Sequence, residues 1–311
     1  MTNDLMIFAG TANPDLARSI AGELGVRLSA CRVERFPDGE TLVILDEPVR
    51  GREVFVVQPT APPVNDHLVE LLAFADACRR ASAARTTAIM PYFGYARSDK
   101  RDRQRVPVAA SMVADLLQAA GINHVVTVDV HTPQLEGFFR VPVDSLTAVP
   151  ALVEAVRSLL PAGAVVVSPD AGRVRMATEF AQRLKTSVVV LHKQRESGTQ
   201  TKVVHLVGDV RERACLVIDD MISTGGTMGK SIEALLKAGA RPEIIIAATH
   251  GLLLEGAREN LSHEGVRAVF VTDTVPVRHA DWSQLKVVSV APLIAAALRQ
   301  FMTDGSLSAL C

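Results

Sequence analysis

Val217-Ile218-Asp219-Asp220-Met221-Ile222-Ser223-Thr224-Gly225-Gly226-Thr227 decides the fold of this chain, because an apolar run ends there in adjacent carboxylates and then a turn rich in hydroxyls and glycine. Cys215 to Ile218 reads as a buried strand, and Met228 to Gly239 carries apolar residues at helical spacing. Ser223 to Thr227 is therefore expected between a strand and a helix. Gly225 and Gly226 let the backbone come close to an oxyanion. Amides there, at the positive end of the next helix, can cradle a phosphate, with Ser223, Thr224 and Thr227 adding hydroxyl donors. Asp219 and Asp220 cannot serve that anion; they suit ribose hydroxyls, or a magnesium ion beside them. The same residue types cap helices with no ligand at all, so the turn by itself leaves both explanations open. No Lys follows the glycines in the Walker position, which counts against a nucleotide-hydrolase P-loop.

Outward from this turn, short Val/Ile-rich runs alternate with Ala/Leu-rich helical segments. The runs are Leu5 to Phe8, Glu53 to Gln58, Thr87 to Met90, Val125 to Val128, Val165 to Val167, Val188 to Leu191, Leu216 to Ile218 and Ile244 to Ala247. Such alternation predicts α/β architecture, a mainly parallel sheet with helices on its faces, and active sites beyond the carboxyl ends of its strands. Strands running into a charged loop, then strands ending in acid, recur in both halves. Two related α/β halves joined near Asp144 to Leu152 fit this recurrence better than one large domain.

Composition agrees with an intracellular enzyme: 311 residues, 48% hydrophobic, 22% charged, formal net charge -1. The near-neutral balance argues against a nucleic-acid binder, whose phosphate contacts need surplus cations. The short apolar run at the start lacks a basic segment before it, and nowhere do eighteen apolar residues follow one another, so neither a signal peptide nor a membrane span is expected. Cys31, Cys78, Cys215 and Cys311 lack metal-ligand spacing and point to reduced thiols in a cytoplasmic protein.

Further clusters sit at strand exits. Asp129-Val130-His131 follows one run, and alternation along an extended strand end would put Asp129 and His131 on one side, where they could join a magnesium site directly or through water. Asp170 follows another, in Ser168-Pro169-Asp170-Ala171-Gly172-Arg173; it could cap the next helix, and its position favours a ligand or metal role. Lys193 and Arg195 flank Gln194 past Val188 to Leu191, in what reads as a polar, mobile loop able to close over polyphosphate and neutralise charge in a transition state. In the first half, Arg35-Phe36-Pro37-Asp38-Gly39-Glu40 and Pro91-Tyr92-Phe93-Gly94-Tyr95-Ala96-Arg97-Ser98-Asp99 supply aromatics and cations suited to a purine ring. Aromatics are only 4% of the chain, so Tyr92, Phe93 and Tyr95 together suggest a site or a subunit contact.

The acidic pair and its turn resemble the sugar-diphosphate motif of phosphoribosyltransferases. Over essentially the whole length the chain resembles the ribose-phosphate pyrophosphokinase family, through Phe36 to Glu40, Pro91 to Arg97, Val128 to Phe139, Val167 to Gly172, Lys193 to Arg195, Ile218 to Thr227, Ala248 to Gly251 and Thr272 to Pro276 taken in order. The resemblance implies two tandem phosphoribosyltransferase-like domains, 1–145 and 146–311, with the C-terminal tail free to pack on the first. It implies transfer of the β,γ-diphosphoryl group of Mg-ATP to the anomeric hydroxyl of ribose 5-phosphate, with Mg2+ as cofactor, in a homo-oligomer, a hexamer or an assembly of dimers. It places ATP at Phe36, Asp38, Gly39, Glu40, Arg97, Ser98 and Asp99, partly from a neighbouring subunit. Ribose 5-phosphate falls at Asp219, Asp220, Ser223, Thr224, Gly225, Gly226 and Thr227, the metal at His131, Asp170 and nearby Asp129, and catalysis at Lys193 and Arg195. Departures from the pattern are Ser223 for a common Asp, Gln194 for Arg, Ser98 for Gln, Arg173 for Gly and Arg140 for an acidic residue in some members. An ordinary phosphoribosyltransferase, a noncatalytic regulatory homologue and a sugar-phosphate binder without turnover are the alternatives.

Overall fold

A computed structural model describes residues 5–101, 103–197, 200–277, 281–303 and 305–311, the side chains of 193–205 excepted. The chain divides into two compact units, Met1–Thr147 with Thr274–Pro276 and Ser289–Cys311, and Ala148–Asp273 with Val277–Val288.

In the first unit, β1 (Leu5–Ala9), α1 (Pro14–Leu24), the hairpin β2 (Cys31–Arg35) and β3 (Thr41–Leu45), β4 (Glu53–Val57), α2 (Val64–Arg80), β5 (Arg85–Met90), α3 (Ala109–Ala120), β6 (His124–Val128) and β7 (Val143–Leu146) follow in turn. The five-stranded sheet runs β1-β4-β5-β6-β7 with every pairing parallel, while β2 and β3 pair antiparallel apart from it. Helix signals are local: Asn13 accepts the amide of Leu16, Pro14 occupies the first turn, and Gly25 closes α1 at φ +69°. Phe8, Phe74, Leu71 and Met90 are among the side chains that form one core between sheet and helices.

The second unit comprises α4 (Val149–Arg157), β8 (Val165–Ser168), α5 (Val174–Leu184), β9 (Val188–Ser197), β10 (Gln200–Val207), β11 (Cys215–Ile222), α6 (Gly226–Lys237), β12 (Ile244–Gly251), α7 (Ala257–Leu261), β13 (Val266–Thr272) and β14 (Leu285–Val288). Its seven strands are ordered β10-β9-β8-β11-β12-β13-β14, parallel except for the antiparallel edge strand β10. Both faces are buried, as continuous apolar runs require. Cys215 and Val217 join the core beneath α6 with Ile232 and Leu235, whereas Leu216 and Ile218 join the opposite core with Val149, Leu152 and Phe180. The final helix α8 (Ala291–Met302) returns to the first unit. There the Phe301 ring lies 6.1 Å from that of Phe55 and 4.9 Å, edge on, from that of His124. No helix among the described residues is long and apolar enough to cross a membrane.

Candidate active site

The strand carrying the acidic pair is longer than its apolar run suggests. β11 stays in register with β12 as far as Ile222 opposite Gly251, so Asp219 and Asp220 are strand residues and only Ser223 to Gly225 form the turn. Gly226 and Thr227 already belong to α6. Parallel pairing to a buried neighbour accounts for the extension, since each added residue satisfies backbone groups that would otherwise be orphaned.

The turn is pinned from behind. Gly225 has φ +74°, and a Cβ there would stand 3.1 Å from Leu261 Cγ and 3.3 Å from the Ala257 carbonyl oxygen. Asn260 Nδ2 donates to the Thr224 carbonyl at 2.8 Å, and the Leu254 amide donates to the Ser223 carbonyl at 2.9 Å. No side chain caps α6, and Thr224 and Thr227 are exposed beside its first amides. A twelve-residue helix thus presents uncapped donors and two hydroxyls to solvent, the arrangement that receives a phosphate.

Next to this cup the acidic pair is already engaged. Arg173 Nε lies 3.2 Å from Asp219 Oδ1 and 3.3 Å from Asp220 Oδ1, with the three side chains 14%, 14% and 3% exposed. The Asp220 amide also donates to Asp219 Oδ1 at 2.9 Å. Burial, and then the hydrogen bond and charge of Asp220, push the Asp219 carboxyl well above the ordinary carboxylate range, and Arg173 opposes that rise.

Asp170 follows β8 and caps a short 3-10 turn, Ala171–Arg173, its Oδ1 accepting the Gly172 amide at 2.8 Å. The capping explanation is realised in this residue. β9 continues through Ser197 and pairs with β10, so Lys193 to Ser197 is the first arm of a hairpin and not the open loop expected. The Val-rich sequence of β10 supplies the partner. The side chains of Lys193 and Arg195 lie outside the described residues.

In the first unit, β6 ends at Val128 and Asp129 turns left-handed at φ +39°. The alternation expected to align Asp129 with His131 therefore fails, because it requires extended backbone on both sides. Both side chains are half-buried, and the following Thr132 hydroxyl donates to Asp99 Oδ2 at 2.8 Å, tying that loop to the Arg97–Asp99 segment. Arg97 and Ser98 line a cavity of about 820 Å³ together with Tyr92, Tyr95, Asn65 and Lys100. Phe93 is a core residue instead, 2% exposed and edge on to Phe139 at 6.1 Å. Ser98 Oγ is turned to structure: it accepts the Ala109 amide at the start of α3 at 3.2 Å. Phe36 to Glu40 form the tip of the β2–β3 hairpin, with Phe36 47% exposed, and are not part of the cavity lining. The tip is a defined turn: the Glu40 amide donates to Asp38 Oδ1 at 3.1 Å, and Arg35 pairs with Asp66 at 2.8 Å at its base.

Among the described residues, no three His, Cys, Asp or Glu side chains group closely enough to hold a metal ion by themselves. Asp129 in the first unit and Asp170 in the second are each the kind of oxygen donor that magnesium takes, since that ion keeps water and binds one or two carboxylates plus substrate phosphates. Asn260 and the Arg173 ion pair were not found from sequence. Asn260 lies 36 residues beyond the carbonyl it holds, and Arg173 was visible only as a departure from a pattern.

Two α/β units, one of them with an acidic strand end leading into a glycine turn at a helix N-terminus, form the framework of a transferase that the comparisons with known proteins specify. Residues 5–121 match the model of the N-terminal domain of ribose phosphate pyrophosphokinase, and residues 199–311 match that of the phosphoribosyl synthetase-associated domain. The chain is 42% identical to a ribose-phosphate pyrophosphokinase of Chromobacterium violaceum over 98% of its own length and 94% of that protein's. It is 41% identical to one of Thermotoga maritima over 99% and 98%. The crystal structure of phosphoribosylpyrophosphate synthetase from Mycobacterium smegmatis superposes with a TM-score of 0.91 at 43% identity, covering 97% of this chain and 100% of that one. The chain belongs to the ribose-phosphate pyrophosphokinase family.

Proposed function

We propose that the protein transfers the β,γ-diphosphoryl group of Mg-ATP to the anomeric hydroxyl of ribose 5-phosphate, giving phosphoribosyl diphosphate and AMP. The observation that carries this reading is the uncapped start of α6 beside Asp219 and Asp220, in a chain alike over its full length to ribose-phosphate pyrophosphokinases. The amides and hydroxyls of Ser223 to Thr227 anchor the 5-phosphate, and the carboxylates of Asp219 and Asp220 accept hydroxyls of the pentose, which fixes the anomeric oxygen for attack. Arg97, Ser98 and Asp99 take the nucleotide, with Phe36, Asp38, Gly39 and Glu40 contributed by the hairpin tip to a neighbouring subunit in a homo-oligomer. The exposure of that tip supports its service to another chain. Magnesium, for which the family resemblance assigns His131, Asp170 and Asp129, would shield the triphosphate and withdraw charge from it. Lys193 and Arg195 stabilise the transferring group, so that negative charge developing on its oxygens meets fixed cations. A cytoplasmic location fits this chemistry, which draws on intracellular ATP.

Incubating the purified protein with ATP, magnesium and ribose 5-phosphate tests the assignment. AMP and phosphoribosyl diphosphate are expected in equal amounts. Appearance of ADP in place of AMP, or no product at all, would overturn it.

A further inference from the structure

Arg173 stands where the family pattern carries Gly, and the fold delivers its guanidinium to both members of the acidic pair. It does so because the 3-10 turn Ala171–Arg173 follows β8, the strand hydrogen-bonded to β11. Two adjacent carboxylates so little exposed need a cation or a proton near them, since their mutual repulsion is poorly screened. Arg173 supplies that cation from within the chain. Sugar hydroxyls would donate to the same acceptors, and Asp219 Oδ1 already accepts an amide at 2.9 Å and faces Nε at 3.2 Å. With the side chains 14% and 3% exposed, little of either carboxylate is open to an incoming hydroxyl while the guanidinium lies against them.

We propose that Arg173 is a displaceable stopper in the sugar subsite: its guanidinium holds the acceptor oxygens of Asp219 and Asp220 that the hydroxyls of a pentose 5-phosphate require, so the sugar binds only as the guanidinium moves out. This rests on the reading of the site given above and adds to it a competitor for the sugar built into the chain. A sugar phosphate that offers adjacent hydroxyls to both carboxylates displaces Arg173. One lacking a hydroxyl bears the same cost of moving the guanidinium with less to exchange for it, so both sugars bind less tightly than they would to an open acidic pair.

Calorimetric titration of ribose 5-phosphate and 2-deoxyribose 5-phosphate into the wild type, R173G and R173Q tests the stopper without needing turnover. R173G is expected to bind ribose 5-phosphate and 2-deoxyribose 5-phosphate each about tenfold more tightly, with ATP affinity unchanged. R173Q keeps most of the side-chain volume and removes the charge; it should shift the same way, which decides the matter if R173G does not fold. Weaker or unchanged ribose 5-phosphate binding in the folded variants would overturn the proposal, since a merely structural or sugar-binding Arg173 predicts that result. A wild type that binds the sugar and forms no AMP refutes the reaction and not the stopper. A wild type that forms AMP, with variants no tighter, refutes the stopper alone.

Discussion

The chemistry of Asp219 is set by its surroundings. Its carboxyl is raised chiefly by burial and then by Asp220, with Arg173 pulling the other way. For an acid raised in the folded state, the stabilising contribution is fully present below the ordinary carboxylate value near 4 and is lost as pH rises through the folded value. R173G removes the opposing cation and lifts Asp219 further. The gap in Tm between wild type and R173G should therefore widen as pH is raised from about 5 to about 8. Thermal unfolding followed by circular dichroism across that range measures it, and a pH-independent gap would contradict the placement of Arg173. Lys193 makes a separate residue-scale claim. Lys193→Ala should lower kcat roughly a hundredfold or more while leaving ATP affinity, read by calorimetry, nearly as it was, because a cation acting on developing charge is felt mainly in the transition state. Equal losses in ATP binding and turnover would make it a ground-state contact.

Among elements, the α6 turn and the β2–β3 hairpin divide their work differently. Gly225→Ala forces a Cβ into left-handed backbone and to 3.1 Å from Leu261. A loss of about 1–3 kcal/mol, with a raised KM for ribose 5-phosphate, is expected from chemical denaturation and steady-state kinetics. Phe36→Ala at the exposed hairpin tip should leave Tm nearly unchanged and raise the KM for ATP; a large fall in Tm would mean that the tip serves packing. How far the elements were legible follows from the same physics. All eight apolar runs are strands, because burial on both faces writes itself as unbroken Val and Ile. β2 and β3 were missed: Cys31-Arg32-Val33-Glu34-Arg35 is short and largely exposed, with three of its five residues charged. β10 was missed because its pairing extends β9 past the point where apolar character stops. The turn after β11 was readable since it lies within one strand-turn-helix, whereas Asn260 reaches it from a distant helix and nothing local announces that bond.

At the scale of the whole molecule, the chain crosses between its units, and α8 completes the first unit after the second has been traversed. The boundary falls at Thr147 and the final helix docks on α1, so sequence order and structural membership differ over the last residues. Two buried thiols report on the units separately. Burial pushes Cys78, in the first unit, up to about 12, and Cys215, in the second, likewise up to about 12, which leaves neither with appreciable thiolate near neutrality. Each becomes reactive toward a disulfide reagent only when its own surroundings open. Phe301→Ala removes the ring of α8 that meets Phe55 of β4 and His124 of β6, both in the first unit. For a half-buried Phe the cost is about 2 kcal/mol, equivalent to roughly thirtyfold more frequent opening. Labelling of Cys78 should accelerate by that factor while Cys215 keeps its wild-type rate, read by mass spectrometry of peptides after timed exposure to the reagent. Exposed Cys311 reacts at once in both proteins and serves as the internal reference. Equal acceleration of Cys78 and Cys215 would mean that the units open together; no acceleration at Cys78 would mean that α8 lends the first unit no stability.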